Sequence, residues 1–133
     1  MDDLSQRFPG ASREEWGDWR WQLRHALRTA EELTRLVELA EDERRGIEVT
    51  ASRFHLAVTP YYASLMDPRH PWCPVRRQGI ALAAEAVTAP GDRSDPLGEN
   101  GRRPVRSVVH RYPDRALFLA TDRCPTHCRH CTR

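Results

Sequence analysis

Three cysteines within eight residues, Cys124, Cys128 and Cys131, constrain this 133-residue chain more than any other feature. Their C-x3-C-x2-C spacing puts three thiols on one tight loop. The loop directly follows Ala116-Leu117-Phe118-Leu119-Ala120-Thr121, an unbroken apolar run of strand length. Such a run reads as a parallel strand covered on both faces. A ligand-bearing loop after it lies on the rim where α/β active sites gather. The expected fold class is therefore α/β: a mainly helical N-terminal region, then a strand with its cysteine loop on the rim of a parallel sheet. At 133 residues the chain is too short for a large cofactor barrel with all its strands.

Three thiolates on one loop suit an iron-sulfur cubane, in which the fourth iron stays open to an outside ligand. They also suit a closed zinc site of the Cys3His kind, with His127 or His130 as fourth ligand. Spacing alone does not separate the two. Met1-Asp2-Asp3 lacks a basic stretch followed by an apolar one, and no uncharged apolar run approaches the roughly 20 residues of a membrane span. A cytoplasmic location is expected, with no membrane partner, and there thiols serve as ligands or stay reduced. Cys73, beside Trp72 and Pro74, reads as a plain thiol outside the site.

All 21 basic residues are arginine. No lysine can form a Schiff base within this chain. Charge is also uneven: residues 1–101 carry 13 Arg against 17 acidic residues, and residues 102–133 carry 8 Arg against 2. The C-terminal quarter thus favours anions, with Arg123, Arg129 and Arg133 placed to offset a cluster's negative charge. Only Tyr112 and Phe118 could stack on bases there, so a small anionic cofactor is expected rather than nucleic acid.

Ser12-Arg13-Glu14-Glu15 reads as a capping box that opens a helix over about 13–28, with Trp16, Trp19, Leu23, Ala26 and Leu27 on its buried stripe. The tryptophans are read as packing residues. Thr29-Ala30-Glu31-Glu32 opens a second helix burying Leu33, Leu36, Val37 and Ala40. Glu41-Asp42-Glu43 begins a third, whose inner side would carry Ile47, Ala51, Phe54 and Val58. Thr59-Pro60 redirects the chain. Residues 89–104 hold three prolines and three glycines and read as a linker, which places a domain boundary near 103. Residues 1–103 would then be the helical region, and 104–133 the strand-bearing part with its cysteine loop.

These residues resemble the radical S-adenosylmethionine enzymes and, within them, the lysine 2,3-aminomutase family. C-x3-C-x2-C is that superfamily's hallmark. His110-Arg111-Tyr112-Pro113-Asp114-Arg115, the apolar run and Cys-x3-Cys-Arg-His-Cys-Thr-Arg follow in the family's order. Upstream, Trp16-x2-Trp19-x-Trp21-Gln22-Leu23, Thr59-Pro60-Tyr61-Tyr62, Pro74-Val75-Arg76-Arg77-Gln78 and Asp95-Pro96-Leu97-Gly98-Glu99 are similar as well.

The resemblance implies that residues 104–133 are the start of a radical-SAM barrel, the first strand and cluster loop of a partial, truncated (β/α) barrel, with a 4Fe-4S cluster held by Cys124, Cys128 and Cys131. S-adenosyl-L-methionine would be chelated by the fourth iron and cleaved to a 5'-deoxyadenosyl radical. It further implies pyridoxal 5'-phosphate, bordered by Arg111, Tyr112 and Arg115, and an amino acid substrate whose carboxylate meets Arg133. A reducing electron donor and a homo-oligomer of the full-length protein belong to the same implication. No residue of this chain is assigned as catalytic. Family members continue beyond the cysteine loop and supply the pyridoxal lysine downstream. The 133 residues are therefore expected to be an N-terminal part, a fragment or a truncated reading frame, inactive alone and prone to associate through open strand edges. Two alternatives stand beside it: a small helical binding module with a C-terminal Cys3His zinc loop, and a relative that modifies a lysine of a translation factor.

Overall fold

The computed structural model describes residues 8, 10–121 and 123–131. Six helices lead the chain: α1 (Arg13–Gly17), α2 (Trp19–Arg24), α3 (Ala30–Leu33), α4 (Glu41–Thr50), α5 (Pro60–Ser64) and α6 (Pro74–Gly79). Short 3-10 turns follow at Ala83–Ala86 and Asn100–Arg102, then strands β1 (Val108–Tyr112) and β2 (Arg115–Phe118). The architecture is mixed α and β. Two compact units form. The first runs to Val87 and takes in Pro125–Cys131, and the second is Thr88–Cys124.

In the first unit both capping boxes form as the sequence suggests. Ser12 Oγ accepts the Glu15 N–H at 3.2 Å while the Glu15 carboxylate accepts the Ser12 N–H at 2.9 Å. Thr29 and Glu32 repeat the exchange at 3.1 and 3.2 Å. The single helix expected over 13–28 is instead two. Asp18 takes an extended conformation (φ −85°, ψ 116°), and its carboxylate caps the Arg20 N–H at 3.0 Å. A strong capping residue directly after Gly17 restarts the helix there.

That restart rotates the tryptophan stripe. Trp21 and Leu27 are buried, while Trp19 is 61% exposed under the Arg20 guanidinium. Trp16 joins Phe8, Trp21 and Tyr61 in an aromatic group with ring centroids 6.3 to 6.5 Å from its own. The Gln22 side chain ties this group down, donating to Trp16 O at 2.9 Å and accepting from Tyr61 N at 2.8 Å.

Helix α3 is one turn long, yet Leu33 and Val37 are buried as expected. The inner face of α4 differs from the expected one. Glu43, Gly46 and Thr50 are buried, Ile47 is half-buried, and Ala51 and Phe54 face solvent beyond the helix end. Gly46 explains the change, because a Cβ there would lie 2.3 Å from Ala81 O. Only glycine lets the backbone of residues 81–82 lie against α4, and this contact sets the helix rotation. Val58, expected on the same helix, sits outside it in a short extended segment.

The core of this unit gathers Leu27, Leu33, Val37, Val58, Met66 and Ile80. Fully buried side chains of this size each contribute about 1.5–3 kcal/mol. Val58 lies at the centre of a miniature ladder, paired antiparallel with Leu27 on one side and Thr126 on the other. Thr59 caps α5, with Pro60 in the first turn, where its missing N–H costs nothing.

The second unit centres on an antiparallel hairpin, with Val108 opposite Phe118, Val109 opposite Leu117 and Tyr112 opposite Arg115. The apolar run after Ala116 was expected as a parallel strand covered on both faces. It is instead antiparallel and exposed at every position of β2. The turn at Pro113-Asp114 brings β1 back as the nearest partner, at far lower closure entropy than a crossover. Among the described residues, no helix is long and apolar enough to cross a membrane.

Candidate metal centre

The segment Pro125–Cys131 is secured to the first unit at three points. Thr126 pairs with Val58. His127 donates its amide to Ala57 O at 2.8 Å, and its ring Nδ1 lies 2.8 Å from His55 O. A carbonyl only accepts, so Nδ1 carries the proton and Nε2 is left as the other ring nitrogen. Arg129 donates its amide to Gln78 O at 2.8 Å, Nη1 to Arg77 O at 2.6 Å and Nη2 to Glu85 Oε1 at 2.6 Å. A bond from Cys131 N to Cys128 O at 3.2 Å then closes a turn.

Cys128 and Cys131 therefore leave a fixed turn with both thiols exposed to solvent. Cys124 is also an exposed thiol and belongs to the second unit. Among the described residues, no three His, Cys, Asp or Glu side chains form a ready-made metal site. The donor set itself fits an iron-sulfur cluster: accessible thiols, two of them on a hydrogen-bonded turn, with no acidic residue between Cys124 and Cys131. Arg129 adds less positive field than its position suggests, because Glu85 already meets its charge. Its Nε is buried without an acceptor, so the guanidinium is turned into the protein and not toward the thiols' solvent side.

Tyr62 stands beside this turn, although no motif or spacing in the chain links the two. Burial pushes its phenol above the ordinary value, and the neighbouring Cys128 and Cys73 push it further. Its hydroxyl donates to Val75 O at 3.2 Å. Cys73 itself is half-buried against the loop at Asp67, whose N–H lies 3.4 Å from the sulfur. Neither Glu85 nor the carbonyls of Ala57 and Arg77 carry any motif that would mark them as partners of the cysteine loop.

In the second unit the hairpin turn gathers Arg111, Tyr112 and Arg115. The Tyr112 ring is half exposed, with the Arg115 guanidinium 4.8 Å and that of Arg111 6.0 Å from its centroid. Arg111 is aimed by a bond from Nη1 to Leu97 O at 2.7 Å. Leu97 is held in turn by Asp95, whose carboxylate accepts from Glu99 N at 2.9 Å and Asn100 N at 2.8 Å across Gly98, at φ 64°. The Asp95–Glu99 motif is thus a carboxylate-capped turn that positions an arginine. Arg115 contacts Asp114 at 3.7 Å with both side chains exposed, a pair of little energetic weight. Arg133, the expected substrate-carboxylate residue, lies outside the described residues.

No family model matches the chain. Curated proteins do. It is 48% identical over 120 residues to an L-lysine 2,3-aminomutase of Bacillus subtilis, covering 90% of this chain and 26% of that protein. The L-lysine 2,3-aminomutase of Clostridium subterminale is 46% identical over 126 residues, 95% of this chain and 30% of the relative. A glutamate 2,3-aminomutase of Clostridioides difficile is 32% identical over 120 residues, 90% of this chain and 28% of the relative. The chain spans less than a third of the length of these relatives. Across nearly all of its own residues, this chain belongs to the lysine 2,3-aminomutase family.

Proposed function

We propose that this chain is the cluster-binding, N-terminal part of a radical S-adenosylmethionine, pyridoxal-phosphate-dependent amino acid 2,3-aminomutase. The supporting observation is the Cys128–Cys131 turn, two exposed thiols on an anchored loop, in a chain that is 44–48% identical to L-lysine 2,3-aminomutases over 90–95% of its residues. Cys124, Cys128 and Cys131, as thiolates, would hold a 4Fe-4S cluster. When bound, the cluster and S-adenosylmethionine supply radical chemistry, and pyridoxal phosphate carries the migrating amino group.

The chain's own residues do the holding. Arg111, aimed by its bond to Leu97 O, and Arg115 flank the Tyr112 ring and present guanidinium groups to a phosphate or carboxylate. Arg133 receives the substrate carboxylate. The hairpin and cysteine turn mark the entry to the α/β barrel of the whole enzyme. No lysine occurs among the 133 residues, so the amine that anchors pyridoxal phosphate is not among them, and these residues alone do not complete the reaction. The amino acid substrate, reducing electron donor and homo-oligomeric assembly belong to the complete enzyme.

Anaerobic reconstitution with iron and sulfide tests this reading through electron paramagnetic resonance of the reduced protein, with and without S-adenosylmethionine, beside Cys128→Ala. A cubane signal that shifts with the cofactor and disappears in the variant is the expected result. Tightly held zinc with no cubane signal would replace it with the zinc-loop binding module.

A further inference from the structure

We infer that Arg129 and Glu85 are positioning residues that hold the Cys128–Cys131 turn on the helical unit before any ligand binds. The inference deepens the function proposed above and relies on it only for what the turn receives. Arg129 lies between the two cysteines and directs three groups away from them. Its amide and Nη1 meet the carbonyls of Gln78 and Arg77, at the C-terminal end of α6. Those are carbonyls that a helix end leaves without partners of its own, where a cation is also favoured by the helix dipole. Nη2 meets Glu85 Oε1, and the same oxygen accepts the Leu82 N–H at 2.7 Å at the start of the 3-10 turn.

One arginine therefore joins the cysteine turn to two separate elements of the helical unit. The Arg129 and Glu85 side chains are only 21% and 27% exposed, so water screens the pair less than it would a surface ion pair. Its guanidinium charge is met inside the protein, which assigns Arg129 to placement rather than to neutralising a bound anion. A thiol turn fixed in advance spares the ordering entropy that a slack loop would lose on taking up a ligand.

Hydrogen exchange of the metal-free 133-residue chain tests the inference with Arg129→Met, Glu85→Gln and Arg129→Lys. Loss of one charge-assisted hydrogen bond should speed exchange at the His127, Arg129 and Cys131 amides by about tenfold or more in the Met and Gln variants. The α4 amides should keep their protection, which shows that the unit remains folded. Lysine, which keeps the ion pair with Glu85 but loses the fork to Arg77, should restore part of the protection. After anaerobic reconstitution, the Met and Gln variants should show a several-fold weaker cubane signal than the parent, although every cysteine is present. Unchanged exchange in both variants with α4 protected would overturn the inference while leaving the cluster assignment standing. Faster exchange with no cubane signal even in the parent chain would uphold the positioning and sink the cluster assignment.

Discussion

Arg76 and Glu43, 33 positions apart, form a fully buried bidentate pair, with Nε to Oε1 at 2.8 Å and Nη2 on Oε2. The remaining guanidinium donors reach the carbonyls of Asp67 and Pro68 at 3.1 and 3.3 Å and that of Glu38. Glu43 Oε2 also accepts the Ala40 N–H at 2.8 Å at the start of α4. The pair joins α4, α6 and the Asp67 loop through a network in which each charge is satisfied. Removing either partner strands the other charge, so Arg76→Ala or Glu43→Ala should each lower stability by about 3–5 kcal/mol. Urea unfolding followed by tryptophan fluorescence measures this. The double change Glu43→Leu with Arg76→Met should cost clearly less than either single one.

Glycines 46 and 17 should respond in opposite directions to alanine. At Gly46 the new Cβ would fall 2.6 Å from Leu82 Cα, in a place where only backbone could yield, so a loss of about 1–3 kcal/mol or more is expected. At Gly17 nothing lies within 4 Å, and Gly17→Ala should stabilise by about 0.4–1 kcal/mol through the unfolded chain. Thermal melts of the two variants beside the parent check both signs.

Acid should loosen the turn that aims Arg111. The N–H groups of Asn100 and Glu99 hold the Asp95 carboxyl below the usual carboxylate range. A lowered folded-state pKa means that its contribution is complete above the unfolded value and disappears as the pH falls through the folded one. Exchange at the Glu99 and Asn100 amides, corrected for intrinsic pH dependence, should therefore accelerate across that acidic window. In Asp95→Asn the acceleration should be absent and protection weaker throughout.

Cys73 should titrate early. Burial alone would raise its thiol, but the N–H groups of Asp67, Arg76 and Val75 together outweigh it and hold the pKa below the ordinary thiol value. The pH midpoint of its alkylation by iodoacetamide, read by mass spectrometry, should lie lower in the folded chain than in the same chain in urea. By the same sign, Cys73 adds stability above its unfolded pKa that is lost as the pH falls through the folded one. Cys73→Ser should remove that pH-dependent increment. An equal or higher folded midpoint would refute the assignment.

Capping chemistry was the most legible part of the fold. Ser12 with Glu15 and Thr29 with Glu32 start helices where their side chains announce them, while Thr59-Pro60, read only as a redirection of the chain, caps α5 as well. Helix continuation was less legible, because Asp18 caps a new helix in the middle of an otherwise amphipathic stretch. Apolar spacing caught only Ile47 on the inner face of α4, since a glycine, a threonine and a glutamate form its buried part. The run after Ala116 misled for a different reason. Apolar content cannot distinguish a strand covered by helices from one whose neighbour is the β-branched Val108-Val109 pair across a two-residue turn. At the candidate site the cysteines and hairpin arginines were evident, whereas Glu85, Tyr62 and the carbonyls that receive Arg129 came together only through tertiary contact.

The pairing of Thr126 with Val58, and of His127 with His55 across 72 positions, makes the first unit discontinuous in sequence. All of Thr88–Cys124 is effectively an insertion within it. Such a topology dictates an order of events. The helices up to Val87 can collapse on local contacts, but the second rung of the Val58 ladder, to Thr126, has to wait for a segment made some seventy residues later, and closing so long a loop is slow. On the ribosome, the Leu27–Val58 rung can therefore form early while the Ala57 carbonyl still waits for the His127 amide. Seating of the cysteine turn becomes the last step in maturation of that unit, so any metal loaded at Cys128 and Cys131 arrives on a scaffold that has otherwise finished folding.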